Sequence, residues 1–292
     1  MVADEYELLD FGGSRKLERF GAVVLDRPSP AADSSRKQSP RWSQPDIVLD
    51  SKGRLVEGVV PESWRVRISG IEFGLRLTPF GHVGVFPEQQ RNWEKLRAWC
   101  EGFNQRNSRS PKVLNLFAYT GGSTLSCALG GAEVVHVDAS QPAVTWARQN
   151  AILNGLGDFP IRWITEDAAK FVQRERKRGN HYDVVILDPP GFGHGPSGKR
   201  WELRRDLPDL LDGCAGLLQL DSVKQLDGAE SELGRLLLLT SHSSDPSESE
   251  IKHWLSDATG CSAKANRNLL KCKSNAGKPR ALDAGFGIWL DC

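Results

Sequence analysis

From Lys112 onward, short apolar runs rich in Val, Ile and Leu alternate with amphipathic stretches at helical spacing, and glycine-containing turns separate them. Upstream lies a shorter region in which apolar and polar residues alternate one by one. Together these patterns predict an α/β chain. A mostly parallel sheet covered by helices ends in a C-terminal antiparallel strand and is preceded by a small antiparallel β unit.

The first 26 residues hold apolar, charged and glycine residues in short bursts. Residues 28–46, PSPAADSSRKQSPRWSQPD, are rich in Pro and Ser and read as a loop or linker. IVLDSKGRLVEG reads as strand, turn and extended chain, and WRVRISGIEFGLRLTPFGHVGVF as an antiparallel unit. EQQRNWEKLRAWCEGF changes to helical spacing, with Trp93, Leu96, Trp99 and Cys100 on one face. KVLNLFAY is then a buried strand and GGSTLSCALGG opens a helix. AEVVHVDAS is a second strand, followed by a helix with Pro142 in its first turn. IRWIT, YDVVILDPP and LGRLLLLTS are the third, fourth and fifth strands. DAAKFVQRERKR, WELRRDLPDLLDGCAGLLQL and DPSESEIKHWLSDATG are the helices between and after them. AKANRNLLKCK and GFGIWLDC are two final extended stretches. This order makes the sheet Rossmann-like and divides the chain into a β-rich region, residues 1–87, and a larger α/β domain, residues 88–292.

The bulk numbers are those of an ordinary globular protein, with 39% hydrophobic and 26% charged residues and a formal net charge of +1. A nucleic-acid partner must therefore be sought in local patches. No apolar run approaches the roughly 20 residues that cross a bilayer, and the acidic N-terminus, MVADEYELLD, is unlike a signal peptide. The six cysteines are scattered without a CxxC pair, which reads as thiols of a cytoplasmic protein with no metal framework.

Ligands of open α/β sheets bind at the carboxyl ends of the strands, beside the point where strand order reverses. After the first strand stands Phe117-Ala118-Tyr119-Thr120-Gly121-Gly122-Ser123-Thr124. Its glycines allow a tight turn and close ligand approach, and the helix that follows offers free N–H groups. A glycine-rich turn alone equally describes any tight strand-to-helix connection. The second strand ends in Asp138, placed to accept hydrogen bonds from a ribose diol. The turn is not G-x-G-x-x-G, which weighs against a dinucleotide. Either Glu166 or Asp167 after the third strand can meet an adenine amino group, and Asp167 can equally be a helix N-cap. The fourth strand ends in Asp188-Pro189-Pro190-Gly191-Phe192-Gly193, a carboxylate at the sheet edge with an aromatic able to stack on a planar base.

VLNLFAYTGGSTLSCALGGAEVVHVDAS, WARQNAILNGL and YDVVILDPPGF resemble the bacterial 23S ribosomal RNA methyltransferase family. These are class I S-adenosylmethionine-dependent enzymes that include cytosine-5 and guanine-N7 methyltransferases. GHVGVFPEQQRNW is similar to the hairpin segment ahead of the family's methyltransferase domain, and the likeness covers roughly Glu72 to Ser243. The resemblance implies a Rossmann-like class I methyltransferase fold, S-adenosylmethionine as cofactor and RNA, ribosomal above all, as partner. It implies Asn115, Phe117, Tyr119 and Gly121, with Thr120 and Gly122, around the methionine part of the cofactor. Asp138 would hold the ribose, Asp167 would lie near the adenine, and Asp188 would reach both cofactor and transfer site. Pro189, Pro190 and Phe192 would line that transfer site, with Gln89, Arg91, Lys199 and Arg200 as substrate contacts.

Two departures matter. The first 70 residues are too short and interrupted for the family's PUA-type RNA-binding domain plus the hairpin. Cytosine-5 transfer needs a cysteine nucleophile at the end of the fifth strand, where this chain reads Leu239-Thr240-Ser241-His242. Direct transfer to a base nitrogen is the expectation that remains. His194, in the loop GFGHGPSGKRW, can assist proton removal or simply face solvent. Lys199, Arg200, Arg204 and Arg205 form one basic cluster, and Lys264, Arg267, Lys271, Lys273, Lys278 and Arg280 another, either able to meet phosphates or to be solvated surface. A non-catalytic RNA-binding protein retaining the fold, a methyltransferase for a small molecule or protein, and a nicotinamide-dependent oxidoreductase are the competing readings.

Overall fold

The computed structural model describes residues 4–33, 35, 37–194, 200–219, 234–272 and 279–291. The chain forms two units, Met1–Arg91 with Asn268–Ala284, and Asn92–Arg267 with Gly285–Cys292.

In the first unit, β1 (Tyr6–Gly12), β2 (Arg15–Phe20) and β3 (Val23–Pro28) form an antiparallel meander. β4 (Ile47–Leu49) adds to β3 in parallel and β5 (Leu55–Gly58) to β4 antiparallel. Leu8, Leu17, Phe20, Leu25, Ile47 and Leu49 fill the core. β6 (Trp64–Ile68) and β7 (Ile71–Leu75) make a separate hairpin whose alternation buries Trp64, Val66, Ile68, Ile71, Phe73 and Leu75. The stretch read as a loop or linker connects β3 to its parallel neighbour β4 within this unit. The buried carboxylate of Asp10 holds the crossover, accepting from Gln38 N (2.6 Å), Ser39 N (2.7 Å) and Trp42 Nε1 (2.6 Å).

The second unit opens with α1 (Gln90–Asn107), which buries Trp93, Leu96, Cys100 and Phe103 at helical spacing while Trp99 is only half-buried. The sheet strands are β8 (Lys112–Leu116), β9 (Glu133–Asp138), β10 (Ile161–Thr165) and β11 (Val184–Leu187). β12 (Phe192–His194) and β13 (Arg200–Glu202) form a hairpin of their own, and β14 (Leu236–Ser241) returns to the sheet. Between them lie α2 (Gly122–Leu129), α3 (Gln141–Leu153), α4 (Ala168–Lys177) and α5 (Leu203–Leu217), followed by α6 (Glu248–Thr259). β15 (Lys264–Cys272) and β16 (Arg280–Asp291) carry the chain from one unit to the other and back. The sheet order is β10-β9-β8-β11-β14-β16, parallel except for β16, which runs antiparallel to β14.

Alternation along the strands decides what faces which helices. Leu114, Leu116, Val135, Val137, Val185 and Leu187 pack into one cluster with α4, α5 and α6. Asn115 and His136, one residue out of phase, point the other way, toward Thr124 on α2. Cys100, Cys127, Cys214 and Cys272 are buried free thiols, whereas Cys261 is disulfide-bonded, a departure from the all-thiol expectation. Among the described residues no helix is long and apolar enough to cross a membrane, and no group of His, Cys, Asp and Glu could hold a metal ion.

Candidate active site

The chain leaves β8 toward β9 on one side while β11 lies on the other, so the strand order reverses between β8 and β11. Register puts the strand ends at one level. Leu116 pairs with Val137 and with Leu187, and Leu187 pairs with Leu239. Phe117, Asp138, Asp188 and Thr240 therefore emerge side by side along one sheet edge.

The loop after β8 is held in an unusual backbone. Phe117 (φ 55°) and Tyr119 (φ 48°) adopt left-handed conformations, and Gly121 (φ 96°) follows. Each such non-glycine residue costs on the order of 1–2 kcal/mol, so the surroundings must enforce it. Ala118 N donates to Val137 O (3.1 Å), Tyr119 N to Asp138 Oδ2 (2.8 Å) and Gly121 N to Ala118 O (3.0 Å). Asp138 thus fixes the loop with one oxygen, and its other oxygen accepts from Ser140 N (2.8 Å). Each carboxylate oxygen has further acceptor capacity, which suits the two hydroxyls of a ribose. Burial pushes the Asp138 carboxyl above the ordinary range, against the pull of these N–H donors.

Several candidates have supporting places. Asn115 Nδ2 donates to Thr124 Oγ1 (2.9 Å), which in turn meets His136 Nδ1 (2.9 Å) in a fully buried chain beneath the loop. Burial drives His136 down to about 3, so the ring is neutral. Thr120 is buried, and its carbonyl accepts from Asn150 Nδ2 (3.0 Å). The two glycines divide their work differently from the sequence expectation. Gly121 is required by its backbone angle, whereas a Cβ on Gly122 would meet the Trp93 ring at 2.5 Å. Gly122 therefore serves helix packing.

After β10, Asp167 caps α4 by accepting from Lys170 N (3.0 Å), and Glu166 is paired with Arg174 (2.6 Å). Of the two acids, Asp167 lines a cavity of 150 Å³, together with Arg176, Arg200, Trp201 and Asp206.

After β11, Asp188 Oδ1 accepts from the buried Thr240 hydroxyl (2.5 Å). Pro189 is buried, and the Pro190 carbonyl accepts from Trp201 Nε1 (2.7 Å). The stretch read as a glycine-rich loop is in part the β12–β13 hairpin, pairing Phe192 with Glu202 and Gly193 with Trp201. Phe192 is 68% exposed, with the Arg200 guanidinium over its ring at 5.8 Å. Lys199 and the His194 side chain lie outside the described residues. Gln89, buried, and Arg91, exposed, belong to the first unit.

The basic clusters are largely engaged. Arg204 pairs with Asp245 and Glu250, and Arg205 with Asp206 and Glu202. Arg267 pairs with Glu248 and Arg280 with Asp10. Lys273 and Lys278 lie outside the described residues. Sequence reasoning gave Thr240 no role in the site. Thr240 stands where the family's cysteine was sought, so its position was legible though its partner was not.

The model of the S-adenosylmethionine-dependent methyltransferase family matches residues 15–225. A crystal structure of the SAM-dependent methyltransferase from Agrobacterium tumefaciens is 37% identical, with a TM-score of 0.86 over 99% of this chain and 91% of that one. Ribosomal RNA large subunit methyltransferase I of Aeromonas salmonicida is 49% identical over 138 residues, 47% of this chain and 30% of the relative. Ribosomal RNA large subunit methyltransferase K/L of Magnetococcus marinus is 31% identical over 234 residues, 76% of this chain and 30% of the relative. The chain thus spans about a third of the length of these curated relatives. With the reversed-order sheet, the acidic strand ends and a family model that covers most of the sequence, the chain belongs to the S-adenosylmethionine-dependent methyltransferase family.

Proposed function

We propose that this protein transfers the methyl group of S-adenosylmethionine to a base nitrogen of ribosomal RNA, in the cytoplasm. The observation that carries the reading is the pair of carboxylates Asp138 and Asp188, at the ends of β9 and β11, the two strands that flank β8 and its Phe117–Gly121 loop. The relatives named as ribosomal RNA methyltransferases support the choice of acceptor.

Asp138 holds the ribose diol, and the loop it pins, with Phe117, Tyr119 and Gly121, cradles the methionine part. Asn115, Thr120 and Gly122 shape that loop from beneath, and Asp167 faces the adenine. Bound there, the cofactor supplies a methyl group already activated by the positive sulfur. The chain's own residues then have to align the acceptor and exclude water. Asp188, oriented by Thr240, accepts a hydrogen bond from the amino group of the target base, and Pro189 and Pro190 fix the direction of the strand end. Phe192 offers an exposed face for stacking, with Arg200 beside it for the phosphate backbone. Lys199 is a further proposed substrate contact. The transfer domain runs from about residue 88, behind a β-rich region of residues 1–87.

Calorimetry with S-adenosylhomocysteine tests the cofactor half. Wild-type protein binds, and Asp138→Ala weakens binding by roughly 10- to 100-fold, as loss of charge-assisted hydrogen bonds implies. Equal affinity in the two proteins would remove the assignment.

A further inference from the structure

Trp201 contacts the segments that follow two of the strands, β11 and β8, although it lies in neither. Its indole N–H donates to the Pro190 carbonyl at 2.7 Å, just beyond the Asp188-Pro189-Pro190 exit of β11. Its ring packs on Phe117, the left-handed residue that begins the cofactor loop after β8, with centroids 5.0 Å apart. It also lines the cavity that Asp167 borders after β10. Trp201 itself sits on β13, opposite Gly193, and so belongs to the hairpin that carries Phe192 and Arg200. The hairpin's base is tied together by Leu203 N, which donates to Gly191 O (2.9 Å).

We infer that Trp201 is a positioning residue that couples the cofactor loop to the substrate-facing hairpin, so that filling the cofactor crevice stiffens the β12–β13 platform. The inference rests on the proposed cofactor site. The physical reason is that Phe117 is held in a costly backbone region, and a bulky ring packed against it at a tilt senses any shift of that loop. The same ring is fixed at its polar tip to the strand exit, so a shift cannot be absorbed by rotating the indole alone. A single side chain with one apolar and one hydrogen-bonding contact is the means by which two loops far apart in sequence move together.

Hydrogen exchange read over residues 192–194 and 200–202, with and without S-adenosylhomocysteine, tests the coupling in the intact chain. Wild-type protein gains at least about fivefold protection of these amides on saturation. Trp201→Phe keeps an aromatic ring, though a smaller one, and loses the N–H. It still binds S-adenosylhomocysteine within about threefold of wild type, yet loses most of the added protection. Trp201→Ala loses both contacts and also weakens binding. Thermal melting of each variant separates loss of coupling from loss of folding. Ligand-induced protection that is unchanged in a folded Trp201→Phe protein would overturn the inference. The same holds if bound wild-type protein shows no added protection. Failure of the wild type to bind S-adenosylhomocysteine would instead remove the cofactor site on which the inference rests.

Discussion

At the scale of single residues, the two acids of the sheet edge differ in what surrounds them. Asp188 is oriented by a neutral hydroxyl, Thr240 Oγ1. Asp138 is braced by two backbone N–H groups in a buried setting that raises its pKa above the ordinary value of 3.8. Only the ionised carboxylate accepts from both ribose hydroxyls. S-adenosylhomocysteine affinity should therefore fall as pH drops through the raised pKa of Asp138, earlier than an ordinary carboxylate would allow. The sign for folding is opposite. A raised folded-state pKa favours the protonated form, so its contribution to stability is present at low pH and lost as pH rises through that value. Weaker binding in mild acid thus accompanies no loss of fold from this group. Calorimetry across pH 4–7 checks the point, and Asp138→Asn should flatten the profile. An equally steep fall in that variant would place the titrating group elsewhere. Asp138 and the Asp-Pro-Pro exit were legible in the sequence, because an acid that ends a predicted strand needs only the strand to be located. Thr240 as the partner of Asp188 was not, since the two are 52 residues apart and meet only through the pairing of β11 with β14.

At the scale of elements, the helix that opens the site is set by packing as much as by its turn. α2 begins at Gly122, directly against the Trp93 ring of α1. A methyl group there would force the indole aside, and overpacking of this kind costs about 1–3 kcal/mol. Gly122→Ala should lower the melting temperature by several degrees and weaken cofactor binding less than Asp138→Ala does. Unchanged stability would show that α1 yields freely. The sequence spelled out the glycine pair but not its division of labour, because the reason for Gly122 lies on another helix. What holds the Pro- and Ser-rich stretch was hidden for a similar reason. Its composition lacks apolar anchors, yet Asp10, some 30 residues earlier, receives two of its backbone N–H groups and the indole of Trp42. The partners of Arg204 in the basic cluster were hidden in the same way, since Asp245 and Glu250 are more than 40 residues downstream.

At the scale of the whole molecule, the alternation of strands and helices was enough to give the parallel sheet and its antiparallel last strand, because periodicity is a local property. Charge balance inside the first unit was not visible. Glu18 is fully buried there, with Arg27 Nε at 2.6 Å, Lys16 Nζ at 3.2 Å and the Tyr6 hydroxyl at 2.9 Å. Burial pushes its pKa up, but the charges of Arg27 and Lys16, with the hydrogen bonds, overcome this and hold it at about 2. A depressed carboxyl contributes stability above its unfolded value near 4.5, and that contribution disappears as pH falls toward 2. Denaturant melts between pH 7 and pH 2.5 should show wild-type stability declining over this window. Glu18→Gln should be less stable at pH 7, by roughly 3–5 kcal/mol for a broken buried pair, and flatter below pH 4.5. An identical slope in the variant would assign acid sensitivity to other groups.

Methyl transfer itself is the most direct test. Large-subunit ribosomal RNA from a host lacking the gene would be incubated with labelled S-adenosylmethionine and wild-type, Asp188→Ala or Thr240→Val protein, then digested to nucleosides for mass spectrometry. Wild-type protein should yield one N-methylated nucleoside. Thr240→Val should slow its formation about tenfold, and Asp188→Ala should abolish it, both with S-adenosylhomocysteine binding retained. A carbon-methylated product, or full activity in Asp188→Ala, would contradict the role of the β11 exit in transfer to nitrogen.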